Sequence, residues 1–340
     1  MHSASLQSLL VSHGLISLRF YRHFYLPNFG DENGAAVALK DVDVPVLVQA
    51  FPDEMDKMDF AHRRDSMCGK MAMCNVLRQL KIKYTLTKEF CVNPLSDSFT
   101  EDLRLFAGTC RVVGGMQKFN VGAIGARTTA FKTVRYDEVA FQNKRVNVET
   151  IDMTRVFAEM EQVAADKLEA KKEVYAALSD FGTYPPEKLE NIARLGVVID
   201  NLIEEFDLQA IAIRCWDELQ KTYGVAPCLI LGELNKRGIA AACELDVTNA
   251  VMMRAIGLAA NYPVMLLDVN NNYEGELLDE NLPKEFFGCG TVFQKKDAAQ
   301  LLQYMATNGY RHHVAITKGN YAASVKEAFE KYLDYNIDLI

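Results

Sequence analysis

The chain has 340 residues, 49% apolar and 24% charged, the balance of a globular protein long enough for one large domain or two ordinary ones. Its 45 acidic residues outnumber 37 basic ones, and the net charge of −8 leaves no basic surplus to neutralise nucleic-acid phosphates. No apolar run reaches the length needed to span a bilayer.

The opening residues, MHSASLQSLLVSHGLISLRFYRHFYL, lack the ordered regions and cleavage site of a secretory signal, so the expected location is cytoplasmic. Their basic, Ser-rich character leaves a mitochondrial presequence as the alternative. A first segment, 1–115, carries the strand-like run VPVLVQAF at 44–51 and a loop rich in charge and Met. A helix over 68–80, the run KIKYTL and an apolar-periodic helix around 99–110 follow. The second segment, 116–262, opens with the strand FNVGAIG at 119–125 and a glycine-bearing turn, then the alternating strand VNVETID at 146–152. Helical patterns cover 154–180 and 187–206, the second with Pro185 and Pro186 at its start. LQAIAIRCW at 208–216 is a short buried strand, and CLILGELNKRG closes on Gly238 like a helix C-cap. IAAACE at 239–244 is the next strand, and VTNAVMMRAIGLAA the next helix. The third segment, 263–340, has the strand PVMLLD at 263–268, an Asn-rich loop and a Gly-Cys-Gly turn near 288–290. It closes with a helix at 297–307, the strand HHVAIT at 312–317 and a terminal helix over 321–332.

Short apolar strands alternating with helices predict an α/β protein with a mainly parallel sheet covered on both faces. Ligands gather at the carboxyl ends of such strands. Eight cysteines are scattered with no CxxC pair and no zinc spacing, which favours buried, reduced thiols over a disulfide framework.

The strand-end rule singles out Glu244, at the end of IAAACE, and Asp268, at the end of PVMLLD. His312 and His313 open the last strand. Two carboxylates and an imidazole form an oxygen-rich donor set suited to Mn²⁺ or Mg²⁺ rather than to structural zinc. On spacing alone, the reading to prefer is the plainer one, with the acids as caps of the following helices and His313 as a packed strand residue. Asp246 is well placed to cap VTNAVMM.

Several segments carry a resemblance. AACELDVTNAVMM at 241–253, PVMLLDVNNNY at 263–273 and NGYRHHVAITKGN at 308–320 resemble elements of the L-fucose isomerase and L-arabinose isomerase superfamily. PNFGDENG at 27–34, RRDSMCGKMAMCNVLRQLKIKYT at 63–85, VGAIGARTTAFKTVRYDE at 121–138 and AIAIRCWDELQKTYGVAPC at 210–228 resemble it as well, in the same order. The resemblance implies Rossmann-like parallel-sheet domains: a truncated N-terminal α/β domain over 1–115, a central one over 116–262, and a reduced, β-containing C-terminal domain over 263–340. It implies a ketol-isomerase that interconverts an aldose and its ketose by metal-assisted proton transfer through an ene-diolate. Glu244, Asp268 and His313 would be the metal ligands, with Glu244 and Asp268 also the acid/base pair. Trp216 would face substrate, with an apolar anchor as its plainer role, and Arg127 would reach the sugar, with a surface ion pair as its plainer role. The implied cofactor is a divalent metal, Mn²⁺ ahead of Mg²⁺ or Co²⁺, with no organic cofactor. The implied partner is a monosaccharide, with neither nucleic acid nor membrane, in a homo-oligomer that is a hexamer in relatives. A non-catalytic sugar-binding or regulatory relative is the alternative. A dinucleotide-dependent oxidoreductase is rejected, because VGAIGAR offers GxxG and not GxGxxG.

Overall fold

A computed structural model describes residues 21–269, 290–291 and 298–337. The chain divides into two compact units: one ends at Met116 and takes in the segment beginning at Asn320, the other runs Gln117–Gly319. The three segments read from the sequence do not map one to one onto these units, because the third is shared between them. The Asn-rich loop and Cys289 lie outside the described residues. Among those described, no helix is long and apolar enough to cross a membrane.

The first unit is built on three parallel strands, β1 (Arg22–Leu26), β2 (Val46–Ala50) and β3 (Thr85–Leu86), in the order β1-β2-β3. Successive side chains of a strand point to opposite faces, and β2 shows the consequence. Leu47 joins Tyr21, Phe99, Leu103 and Phe106 in one core, whereas Val46 and Val48 join Leu26, Met73 and Leu77 in another. The helix Ser66–Gln79 supplies Met73 and Leu77, and the helix Asp97–Met116 supplies Phe99, Leu103 and Phe106. The second is longer than its sequence pattern suggested, extending apolar burial to Val112, Val113 and Met116. The terminal helix Ala322–Glu327, continued by Ala328–Tyr332, packs on it within this unit.

The second unit holds a four-stranded parallel sheet, β4 (Phe119–Ile124), β5 (Val146–Ile151), β6 (Ala210–Ile213) and β7 (Ala240–Ala242), in the order β5-β4-β6-β7. It also holds a smaller sheet of β8 (Met265–Val269), β9 (Gly290–Thr291) and β10 (His313–Ile316), in the order β10-β8-β9, with β10 antiparallel to β8. The α/β class of the sequence reading holds. The pattern over 154–180, expected as one helix, is two: Met153–Met160 and Ala165–Ala176. Val156 and Met160 of the first and Leu168 and Tyr175 of the second are buried in the same core. The helix Val247–Ala260 matches its sequence pattern to the residue and packs on β6, β7, β8 and β10, joining the two sheets.

Candidate active site

Three segments at the carboxyl ends of parallel strands and one antiparallel pairing build the candidate site. After β7 the chain turns through Glu244 (φ 58°) and Leu245 (φ 59°), both in the left-handed region that residues with a Cβ seldom enter. The Leu245 amide donates to Ile213 O at 3.1 Å, tying this turn to the end of β6. Asp246 then caps Val247–Ala260, its Oδ1 accepting the Asn249 amide at 3.1 Å. The cap expected from the sequence is therefore present.

Asp268 and His313 face each other directly across the antiparallel pair of β8 and β10. Directly opposed residues of such a pair carry their side chains on the same face, so the register itself brings carboxylate and imidazole together. His313 Nε2 lies 3.1 Å from Asp268 Oδ1 and 2.8 Å from Glu244 Oε2. Both carboxylates are close enough for charge interaction, yet Nε2 is a buried nitrogen without a well-directed hydrogen bond. The opposite ring nitrogen, Nδ1, lies 2.7 Å from Asp246 Oδ2. Burial would pull the imidazole pKa down, but Asp246 foremost, with Asp268 and Glu244, pushes it up to about 11.

Trp216 follows β6, and its indole Nε1–H donates to Glu244 Oε1 at 2.9 Å. That bond holds one oxygen of Glu244 and leaves the other facing His313. Phe131 follows β4 and packs on Trp216 at a ring separation of 5.8 Å, and on His312 and His313 at 5.6 Å each. The structure thus gathers Glu244, Asp268, His313 and Trp216. Arg127 is turned back onto its own loop, donating to Thr128 O at 2.9 Å and Thr129 O at 3.3 Å. Among the described residues, no hydrogen bond or ion pair joins it to the cluster.

Sequence reasoning passed over three participants. Asp246 appeared only as a cap, Phe131 lay in an unremarkable turn, and Arg311 precedes the histidines yet bonds Asp246 Oδ1 at 2.5 Å. The one available signal was their proximity in sequence to residues already singled out.

The donor chemistry fits a divalent cation. Potential ligand atoms of Asp268, His312 and His313 lie within 4.8 Å of one another, and Glu244 Oε2 lies 2.8 Å from His313 Nε2. Three carboxylates converge where the bonded cationic partners are Arg311 and the imidazole, an excess of negative charge that a metal would balance.

Residues 23–117 match the family described as fucose/sulfoquinovose isomerase, N-terminal domain. Over 271 residues the chain is 24% identical to a sulfoquinovose isomerase of Alkalicoccus urumqiensis, covering 77% of this chain and 57% of that protein. The sulfoquinovose isomerases of Priestia aryabhattai and Clostridium sp. are each 24% identical over 56% of this chain, which covers 42% and 43% of their lengths. The chain spans about half the length of the curated relatives it matches. The family match and these relatives together support a fucose-isomerase-like superfamily for the chain.

Proposed function

We propose that the protein is an aldose–ketose isomerase whose reacting groups are the carboxylates of Glu244 and Asp268. The observation that carries this reading is the convergence of Glu244 Oε2, Asp268 Oδ1 and His313 Nε2, within 3.1 Å of the shared nitrogen. Those three side chains would hold a divalent metal, Mn²⁺ before Mg²⁺ or Co²⁺. When bound, it would supply the positive charge that stabilises an enediolate developing on two neighbouring sugar oxygens.

The rest of the chemistry belongs to the chain. A carboxylate oxygen of Glu244 or Asp268 takes the proton from the carbon beside the carbonyl, and the proton is returned to the neighbouring carbon. Trp216 fixes the orientation of Glu244 through Oε1, so the free oxygen is aimed before substrate arrives. The rings of Phe131 and Trp216 form an apolar wall beside these groups and help to exclude water. Sulfoquinovose, the sugar named in the relatives, is the first substrate to try, followed by L-fucose and L-arabinose.

Calorimetric titration of metal-stripped protein with Mn²⁺, beside Glu244→Gln, tests the proposal. Wild type is expected to bind, the variant to bind more weakly, and the loaded wild type to convert an aldose to its ketose. Absence of Mn²⁺ binding by wild type would overturn the metal site. Binding without turnover on any of the three sugars would point instead to a sugar-binding relative.

A further inference from the structure

We propose that Asp246 is a positioning residue that fixes which nitrogen of His313 faces Glu244 and Asp268. The inference rests on the metal-site reading above, and adds a residue that the ligand set does not contain.

Asp246 is fully buried, and four donors meet its two oxygens. Oδ1 accepts the Asn249 backbone amide at 3.1 Å and Arg311 Nη1 at 2.5 Å. Oδ2 accepts Asn249 Nδ2 at 2.6 Å and lies 2.7 Å from His313 Nδ1. An ionised carboxylate is acceptor-only, so the ring nitrogen against it must carry a hydrogen. His313 therefore presents Nδ1–H to Asp246, and Nε2 is the nitrogen left toward the two carboxylates. Helix capping alone would require only the Asn249 amide. The remaining three donors come from a side chain of the capped helix and from Arg311 and His313, which lie far along the chain. Arg311 is itself held by Arg135 O at 2.8 Å, which fixes the far side of the arrangement. A ligating imidazole oriented through its second nitrogen by a carboxylate is a general device for setting tautomer and ring angle.

An asparagine at this position keeps the shape but replaces one acceptor by an NH₂ group. Whichever way the amide turns, it sets a donor against donors. Where that donor meets His313, Nδ1 must give up its hydrogen to accept, which leaves the ring hydrogen on Nε2, the atom needed for a metal.

The test uses the full chain labelled with ¹⁵N-histidine and stripped of metal, with the His313 signals assigned by their loss in His313→Gln. Wild type is expected to show a slowly exchanging, downfield ring proton correlated with Nδ1, and Asp246→Asn is expected to lose it. An unprotonated Nδ1 in wild type would overturn the proposal without any variant, and so would an unchanged signal in a folded Asp246→Asn. In a second arm, Asp246→Asn should weaken Mn²⁺ binding by about ten-fold or more, whereas Asn249→Ala, which keeps the capping amide and the Asp246–His313 bond and removes only the Nδ2 donor, should bind like wild type. Equal losses in both variants would show that the bond to His313 has no role beyond general support of the Asp246 carboxylate, and would overturn the proposal. Failure of wild type to bind Mn²⁺ would sink the metal reading, and the ring-proton result would then decide the positioning role.

Discussion

At His313 an imidazole stands against three carboxylates, and its protonation is bound up with stability. In the metal-free protein its pKa is pushed from the ordinary 6.5 up to about 11, burial being outweighed by Asp246, Asp268 and Glu244. A group whose folded pKa lies above its unfolded value stabilises the fold fully below the unfolded value. That contribution disappears as pH rises through the folded one. The unfolding free energy of metal-stripped wild type should therefore fall from about pH 6.5 toward pH 11 more steeply than that of His313→Gln. Parallel curves for the two proteins would show that the carboxylates do not hold this proton. Asp246 moves the opposite way: burial favours its neutral form, but His313, Asn249 and Arg311 together keep its carboxyl below the usual range. The sequence could show Asp246 as a cap because a cap is local. Its bonds to Arg311 and His313 span 65 and 67 positions and depend on where β10 lands, which no local pattern encodes.

Among the elements, the strand-to-turn junctions of the second unit decide where the site residues fall. Gly125 ends β4 at φ 87°, and a Cβ there would meet Met153 Cε at 2.9 Å and Arg214 Cβ at 3.1 Å. Arg214 in turn donates to Trp216 O at 2.9 Å and to Ala126 O at 3.3 Å, so displacement at Gly125 would be passed to the Trp216 segment. Gly125→Ala should cost about 1–3 kcal/mol through left-handed strain and overlap, measured as a lower urea midpoint. A midpoint equal to wild type would mean that the turn relaxes freely. These junctions also explain what was legible beforehand. Buried strands and Val247–Ala260 could be read from apolar runs and periodicity, and Gly238, at φ 84°, ends its helix as the cap pattern implied. Glu244 could be placed after a strand, but its left-handed turn could not, since nothing in Cys-Glu-Leu-Asp favours that conformation. Arg127, after a glycine turn, carried two readings from the sequence, a reach toward the sugar and a plainer surface ion pair. Its guanidinium instead satisfies carbonyls of its own loop.

For the whole molecule, the chain order and the spatial order part company at Asn320. Every residue of the candidate site lies within Gln117–Gly319, whereas the segment after it belongs with the first unit. There Ser324 Oγ donates to Leu105 O at 2.7 Å and Thr109 Oγ1 donates to Ser324 O at 3.3 Å. Arg104 Nη2 reaches Asn320 O at 3.1 Å, and the Tyr332 hydroxyl bonds Thr85 Oγ1 at 2.9 Å. Val325, Ala328 and Phe329 are buried, so removing this segment uncovers apolar surface along Asp97–Met116. A chain ending at Gly319 should therefore lose amide protection in Asp97–Met116 and β3 while the amides of β4, β6 and β7 keep theirs, read by hydrogen exchange. Mn²⁺ binding at the Glu244 site should persist in that truncated chain, because none of its ligating or positioning groups is removed. Loss of protection throughout β4, β6 and β7 would mean that the two units unfold together. Retention throughout Asp97–Met116 would mean that the terminal segment is dispensable to the first unit.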